Sequence, residues 1–126
     1  MRNAIIVADD SSIVQKIIGE SLKDEFTVLK AEKGTDVISL LMNNYNMNIV
    51  GVLLDLNMPE SDGFMVLNYF KDNNLFKRYP VVIISGDDTK ETIEKAFTYN
   101  IVDMLNKPFS IERVKDMVKK MMEFKG

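Results

Sequence analysis

The chain has 126 residues, 46% of them hydrophobic and 28% charged, a composition that fits one globular domain with roughly two-thirds of its unfolded surface buried. A net charge of -3 argues against a nucleic-acid module, which needs a concentrated basic surface. With no cysteine and no histidine, a disulfide framework, a thiolate metal site and an imidazole base are excluded; any chemistry runs on carboxylates, lysines, hydroxyls or metal.

Ala4 to Ala8 is a continuous apolar run and reads as a strand buried on both faces. Asp9-Asp10 stops it too soon for the core of a signal peptide, and no run approaches the ~18 apolar residues of a membrane span. A cytoplasmic protein without membrane contact is the expectation. Asp9-Asp10-Ser11-Ser12 is rich in helix N-cap types, and the helix that follows runs to about Lys23 with Ile13, Val14, Ile17, Ile18 and Leu22 inward. Thr27 to Ala31 is a more polar strand that suits an edge, and Gly34 to Asn44 is a second helix. Ile49 to Leu54 is a third strand, all apolar, ending at Asp55; a helix from about Gly63 to Asn73 follows its loop. Val81 to Ile84 forms a fourth strand ending at Ser85-Gly86-Asp87-Asp88, and Lys90 to Tyr99 a helix with Asn100 as its left-handed C′ residue. Val102 to Leu105 leads into Asn106-Lys107-Pro108, and Ser110 caps a last helix reaching about Lys125.

Five strands alternating with five helices make a single (βα)5 doubly wound parallel sheet over residues 1–126, with no linker or repeat and no output domain in these residues. Strands one, three and four are apolar throughout and belong in the centre. The flavodoxin-like order 2-1-3-4-5 satisfies this, and its switch point lies between strands one and three, where Asp9, Asp10 and Asp55 end their strands.

Three converging carboxylates repel one another unless a hard divalent cation intervenes; a few carboxylates with water and a phosphate oxygen is how Mg2+ is held. Ser85 brings a hydroxyl and Lys107 an ammonium to the same crevice, and a cis Lys107-Pro108 bond would aim that ammonium at a sharp corner. Carboxylate, metal, hydroxyl and ammonium surround a hole the size of a phosphoryl group. Asp55 is able to attack phosphorus in line, and no general base is required because a carboxylate is already ionised.

Asp9-Asp10, Asp55 with Pro59 and Gly63, Ser85, and Lys107-Pro108-Phe109 together resemble the receiver domain of two-component response regulators over essentially the whole chain. The resemblance implies that Asp55 is the phosphoacceptor for a phosphohistidine on a sensor histidine kinase or phosphotransfer protein. It also implies Mg2+ (or Mn2+) held by Asp10 directly, by Asp9 largely through water, by Asp55 and by the Asn57 backbone carbonyl. Ser85 with Gly86 would form the phosphoryl-binding switch, and Lys107 would pair with Asp55 before phosphorylation and with the phosphoryl group after it. Pro59, Gly63 and Pro108 would be the loop framework. Asn57 and Asp87 would tune the lifetime of the acyl phosphate, which is expected to be short. Such a domain is not a classical enzyme, although it catalyses its own metal-dependent phosphorylation and dephosphorylation. Its output in the phosphorelay would pass through the face of helix four, strand five and helix five to a protein partner or a phosphorylation-dependent homodimer, not to nucleic acid.

One position departs from the family pattern. Where an inward-swinging Tyr or Phe is usual, three residues before the Lys, this chain has Met104, a flexible thioether without ring or hydroxyl. On helix five, Met117 and Phe124 at the edge of the apolar arc are candidates to extend onto a partner. Three other readings fit less well. A haloacid-dehalogenase-type phosphatase needs a second carboxylate two residues after its nucleophile, and here that residue is Asn57. A flavodoxin needs a phosphate-binding loop where Asp9-Asp10 stand. A degenerate receiver acting as a scaffold would not need the site residues that are all present.

Overall fold

The structure, a computed structural model, describes residues 2–43, 46–58 and 63–126. Pro59, assigned above to the loop framework, and Asn44, the expected end of the second helix, lie outside the described residues. The elements in order are β1 (Asn3–Ala8), α1 (Ser12–Leu22), β2 (Thr27–Ala31), α2 (Gly34–Asn43), β3 (Asn48–Asp55), α3 (Gly63–Asp72), β4 (Val81–Ser85), α4 (Lys90–Ala96), β5 (Asp103–Asn106) and α5 (Ile111–Glu123). The strands form one parallel sheet in the order β2-β1-β3-β4-β5. The apolar runs of β1, β3 and β4 therefore occupy the centre, as their composition demands, and β2 and β5 are edges.

Alternation along each strand divides the core into two layers. Ala4, Ile6, Leu54, Ile83 and Met104 pack against α2, α3 and α4 through Val37, Val66, Phe70 and Ala96. Ile5, Val7, Leu53, Ile84 and Leu105 face α1 and α5 through Ile18, Leu22, Val114 and Val118. Each fully buried aliphatic side chain contributes roughly 1.5–3 kcal/mol, so the sheet is rigid where it delivers its strand ends to the crevice. Within β3, Gly51 admits α5 closely, because a Cβ there would meet the Met121 side chain.

Several expectations need correction. Ile13 and Ile17 are exposed, at 70% and 37%, because the buried stripe of α1 runs through Gln15, Ile18 and Leu22. Helix α4 ends at Ala96 and not at Tyr99, since Thr98 and Tyr99 donate to the carbonyls three residues back, Lys95 and Ala96, tightening the chain into turns. Asn100 thus lies beyond the helix and is not left-handed; among described non-glycine residues only Asn74, after α3, has positive φ, at 54°. Met117 is completely buried in the α1–α5 layer and does not extend to a partner. Ser110 caps α5 as its position suggested, its hydroxyl accepting from the Arg113 N–H at 3.2 Å.

Candidate functional site

Parallel strands place their carboxyl ends on one rim, and the polar residues that end β1, β3, β4 and β5 gather there. Asp9, directly after β1, is fully buried. Its N–H donates to the Ala31 carbonyl at 3.0 Å, which ties it to the end of β2. Its Oδ1 accepts from the Ser11 N–H at 2.9 Å, and Ser11 in turn caps α1 by accepting from the Val14 N–H at 3.3 Å. Asp10, next in the chain, is exposed at the rim.

Asp55 ends β3 with 2% exposure. Its Oδ1 accepts from the Asn57 N–H at 3.0 Å and its Oδ2 from Lys107 Nζ at 3.3 Å. The loop leaving Asp55 returns at Gly63, whose N–H donates to the Leu56 carbonyl at 2.8 Å. A Cβ on Gly63 would lie 2.7 Å from the Asp55 carbonyl oxygen and 2.8 Å from Leu56 Cα, so the return is possible only without a side chain. Glycine at position 63 thus has a steric cause.

Lys107 crosses to both acids. Its Nζ lies 2.9 Å from Asp9 Oδ2, an ion pair lacking good hydrogen-bond alignment, and 3.3 Å from Asp55 Oδ2. Its own N–H donates to the Ser85 carbonyl at 2.9 Å, and the Lys107-Pro108 bond is cis. Burial of the ammonium acts against its charge, but the close contact with Asp9 and the charges of Asp55 and Asp9 outweigh this and raise the Lys107 pKa. For Asp55 the largest influence is burial, which raises its pKa; the Asn57 N–H opposes this, the Asp9 charge adds to it, and Lys107 opposes it.

One oxygen from each of Asp9, Asp10 and Asp55 lies within 4.8 Å of the others. Three carboxylates facing the single ammonium of Lys107 leave two negative charges uncompensated among the described residues. An all-oxygen donor set with that imbalance fits a hard divalent cation such as Mg2+.

The β4 side is arranged differently. Ser85 is buried, but its Oγ is engaged by its own loop, accepting from the Asp87 N–H and donating to the Asp87 carbonyl, each at 3.0 Å. The Asp87 carboxylate accepts from the Thr89 N–H at 2.9 Å and from Thr92 Oγ1 at 2.7 Å, which holds its pKa below the usual aspartate value. Both of its oxygens are thus committed to the start of α4. Gly86 stands exposed with open space where a Cβ would be. Met104 is 8% exposed and packs in the layer beneath α3 and α4.

The sequence reading missed Gln15. Its Nε2 donates toward the carbonyls of Val7 at 2.8 Å, Asp9 at 3.1 Å and Ala31 at 3.1 Å, at 6% exposure. The signal was a polar residue on the same helical stripe as Ile18 and Leu22, spaced by three and seven positions.

Comparison with known proteins agrees with this geometry. Residues 5–119 match the family model described as the response regulator receiver domain. The two-component response regulator ARR2 of Arabidopsis thaliana is 32% identical over 114 residues, covering 90% of this chain and 17% of that protein. The sensor histidine kinase CheAY of Helicobacter pylori is 27% identical over 123 residues, covering 97% of this chain and 15% of that protein. The transcriptional regulatory protein SrrA of Staphylococcus aureus is 28% identical over 97% of this chain and 48% of its own length. The chain therefore spans less than half the length of each of these relatives. Among solved structures, the chemotaxis response regulator CheY4 of Vibrio cholerae superposes with a TM-score of 0.82 at 18% identity, covering 96% of this chain and 99% of that one. The BeF3-activated receiver domain of DrrB, from Thermotoga maritima, gives 0.81 at 24% identity, covering 98% and 100%. At these identities the structures speak for the fold.

Proposed function

Since the chain belongs to the response regulator receiver family of two-component systems, we propose that Asp55 accepts a phosphoryl group from a phosphohistidine on a sensor histidine kinase or phosphotransfer protein. An Asp55 carboxylate oxygen attacks phosphorus while the phosphorus–nitrogen bond breaks, its electron pair leaving with the imidazole. Asp10 would hold Mg2+ directly, Asp9 largely through water, with Asp55 and the Asn57 carbonyl completing the protein ligands. When bound, the cation neutralises the non-bridging phosphoryl oxygens. Lys107, already shared between Asp9 and Asp55, exchanges a carboxylate partner for a phosphoryl oxygen without leaving its corner. Ser85 Oγ turns from the Asp87 backbone to donate to the same group, and the loop through Gly86 follows it toward the α4–β5–α5 face. Asn57, exposed next to Asp55, would orient a hydrolytic water; the Asp87 carboxylate is engaged at the start of α4, so its influence on lifetime would pass through the loop.

One observation carries the proposal: a nearly fully buried Asp55 shares Lys107 with Asp9 inside a three-carboxylate cluster. Burying such a charge assembly is costly unless it binds something. The test is incubation with acetyl phosphate and Mg2+ followed by intact mass. A gain of one phosphoryl group is expected, absent without metal and absent in Asp55→Asn; no gain in the wild type under any condition would leave a scaffold role instead. No described helix is long and apolar enough to cross a membrane, in keeping with a cytoplasmic receiver whose output is a protein contact.

A further inference from the structure

Asp10 is the proposed direct ligand to the cation, yet it is exposed and its carboxylate accepts no hydrogen bond from the described residues. Something else must fix its position. A peptide bond is planar, so the Asp9 carbonyl and the Asp10 N–H share one rigid plane. That carbonyl is a target of Gln15 Nε2, at 3.1 Å. The same nitrogen lies 2.8 Å from the Val7 carbonyl and 3.1 Å from the Ala31 carbonyl, while Ala31 also accepts from the Asp9 N–H at 3.0 Å.

Three carbonyls share the two hydrogens of this one nitrogen and so fix the amide's orientation, because the opposite orientation would set Oε1 against three acceptors. Gln15 Oε1 itself is buried without a partner among the described residues, so the amide is held for its donor end alone. The side chain rises from α1, which Ser11 caps, and joins the end of β1 to the end of β2. Asp9 is therefore gripped at its N–H, its carbonyl and its Oδ1, and the plane leading into Asp10 is gripped with it.

We propose that Gln15 is a positioning residue for the cation site: by holding the Asp9–Asp10 peptide plane it presets the Asp10 carboxylate beside Asp9 and Asp55. The proposal rests on the reading of the cluster as a Mg2+ site and adds to it a residue that touches neither metal nor phosphoryl group. Supports of this kind typically alter metal affinity by about 10- to 100-fold.

The experiment is a Mg2+ titration, without phosphodonor, of the wild type, Gln15→Met and Ile18→Ala by calorimetry well below each unfolding midpoint. Met keeps the length and apolar stem and removes the donor. Ile18, fully buried on the same helix and remote in role, controls for general loosening of α1. Gln15→Met is expected to weaken Mg2+ binding at least about tenfold, with Ile18→Ala unchanged. Equal affinity in Gln15→Met and wild type, or equal weakening in both variants, overturns the proposal while leaving the cation site standing. Failure of the wild type to bind Mg2+ overturns the site itself and the proposal with it. Should Gln15→Met not fold, the Gln15 side-chain amide resonances of the wild type are followed during the titration. They are expected to shift with the same midpoint as the Asp9 and Asp10 backbone amides; unmoved Gln15 resonances overturn the proposal.

Discussion

The β1–β3 half of the crevice and the β4 half are built on opposite plans. On the first side, Asp9 is gripped through its backbone and side chain, Asp55 is held by the Asn57 N–H, and Gly63 brings the loop back against the Asp55 carbonyl. Lys107 pins the two acids together. On the second side, the Ser85 hydroxyl bonds, among the described residues, only within its own loop, Gly86 touches nothing where a side chain would be, and Asp87 holds Thr89, the N-cap of α4, and Thr92. One half is cross-linked through its acids; the other bonds within its own loop. Under the proposed function, binding and response would be separated by strand, with Lys107 serving both.

Substitutions break or sharpen this contrast to different degrees. The largest loss is expected from Gly63→Ala, where the added Cβ meets backbone that cannot yield. About 3 kcal/mol of stability should disappear in urea denaturation, and acetyl phosphate labelling should fail. Next comes Lys107→Met, which leaves Asp9 and Asp55 facing each other unbalanced. Removing one partner of a buried pair costs several kcal/mol; with Lys107 27% exposed to water, about 2 kcal/mol is expected without metal, and added Mg2+ should restore part of it.

Asp55→Asn should act in the opposite direction. Burial raises the Asp55 pKa, so the folded state holds that proton more tightly than the unfolded chain. The Asp55 contribution to metal-free stability therefore falls as pH rises from the ordinary aspartate value through the raised one, and by neutral pH the ionised group is a net cost. Asp55→Asn is expected to gain about 1 kcal/mol at neutral pH and to lose that part of the pH dependence, measured by denaturation across pH 3 to 8. The smallest effect belongs to Gly86→Ala: with open space at the Cβ and no positive φ, stability should stay within about 0.5 kcal/mol. A loss above 2 kcal/mol there would show that the β4 loop is as tightly built as the β3 loop.

The binding half was the more legible in the sequence. Asp9 and Asp55 each end a run of apolar residues, and an ionisable group in that place announces a strand end and a site together; Lys107 follows the short β5 after Asn106, and its place is read from the Lys107-Pro108 pair. The order of the sheet followed from which strands are apolar throughout. What escaped was information carried by backbone. Gln15 looks like an ordinary polar residue until its three carbonyl partners are seen; Asp87 was expected beside the acyl phosphate, and its carboxylate is instead held by Thr89 and Thr92. Asn74 and Asn100 are both asparagines placed after helices; only the early tightening of α4 separates them, and propensity does not encode it. Ile13 and Ile17 misled because an apolar residue at helical spacing satisfies the same pattern whether it faces core or solvent.

The most direct test of the account is to locate the phosphoryl group. After labelling with acetyl phosphate and Mg2+, borohydride reduction converts an aspartyl phosphate to homoserine, which peptide mass spectrometry places on the chain. The account predicts homoserine at position 55 alone. Homoserine at position 9, 10 or 87, or labelling that persists in Asp55→Asn, would contradict it.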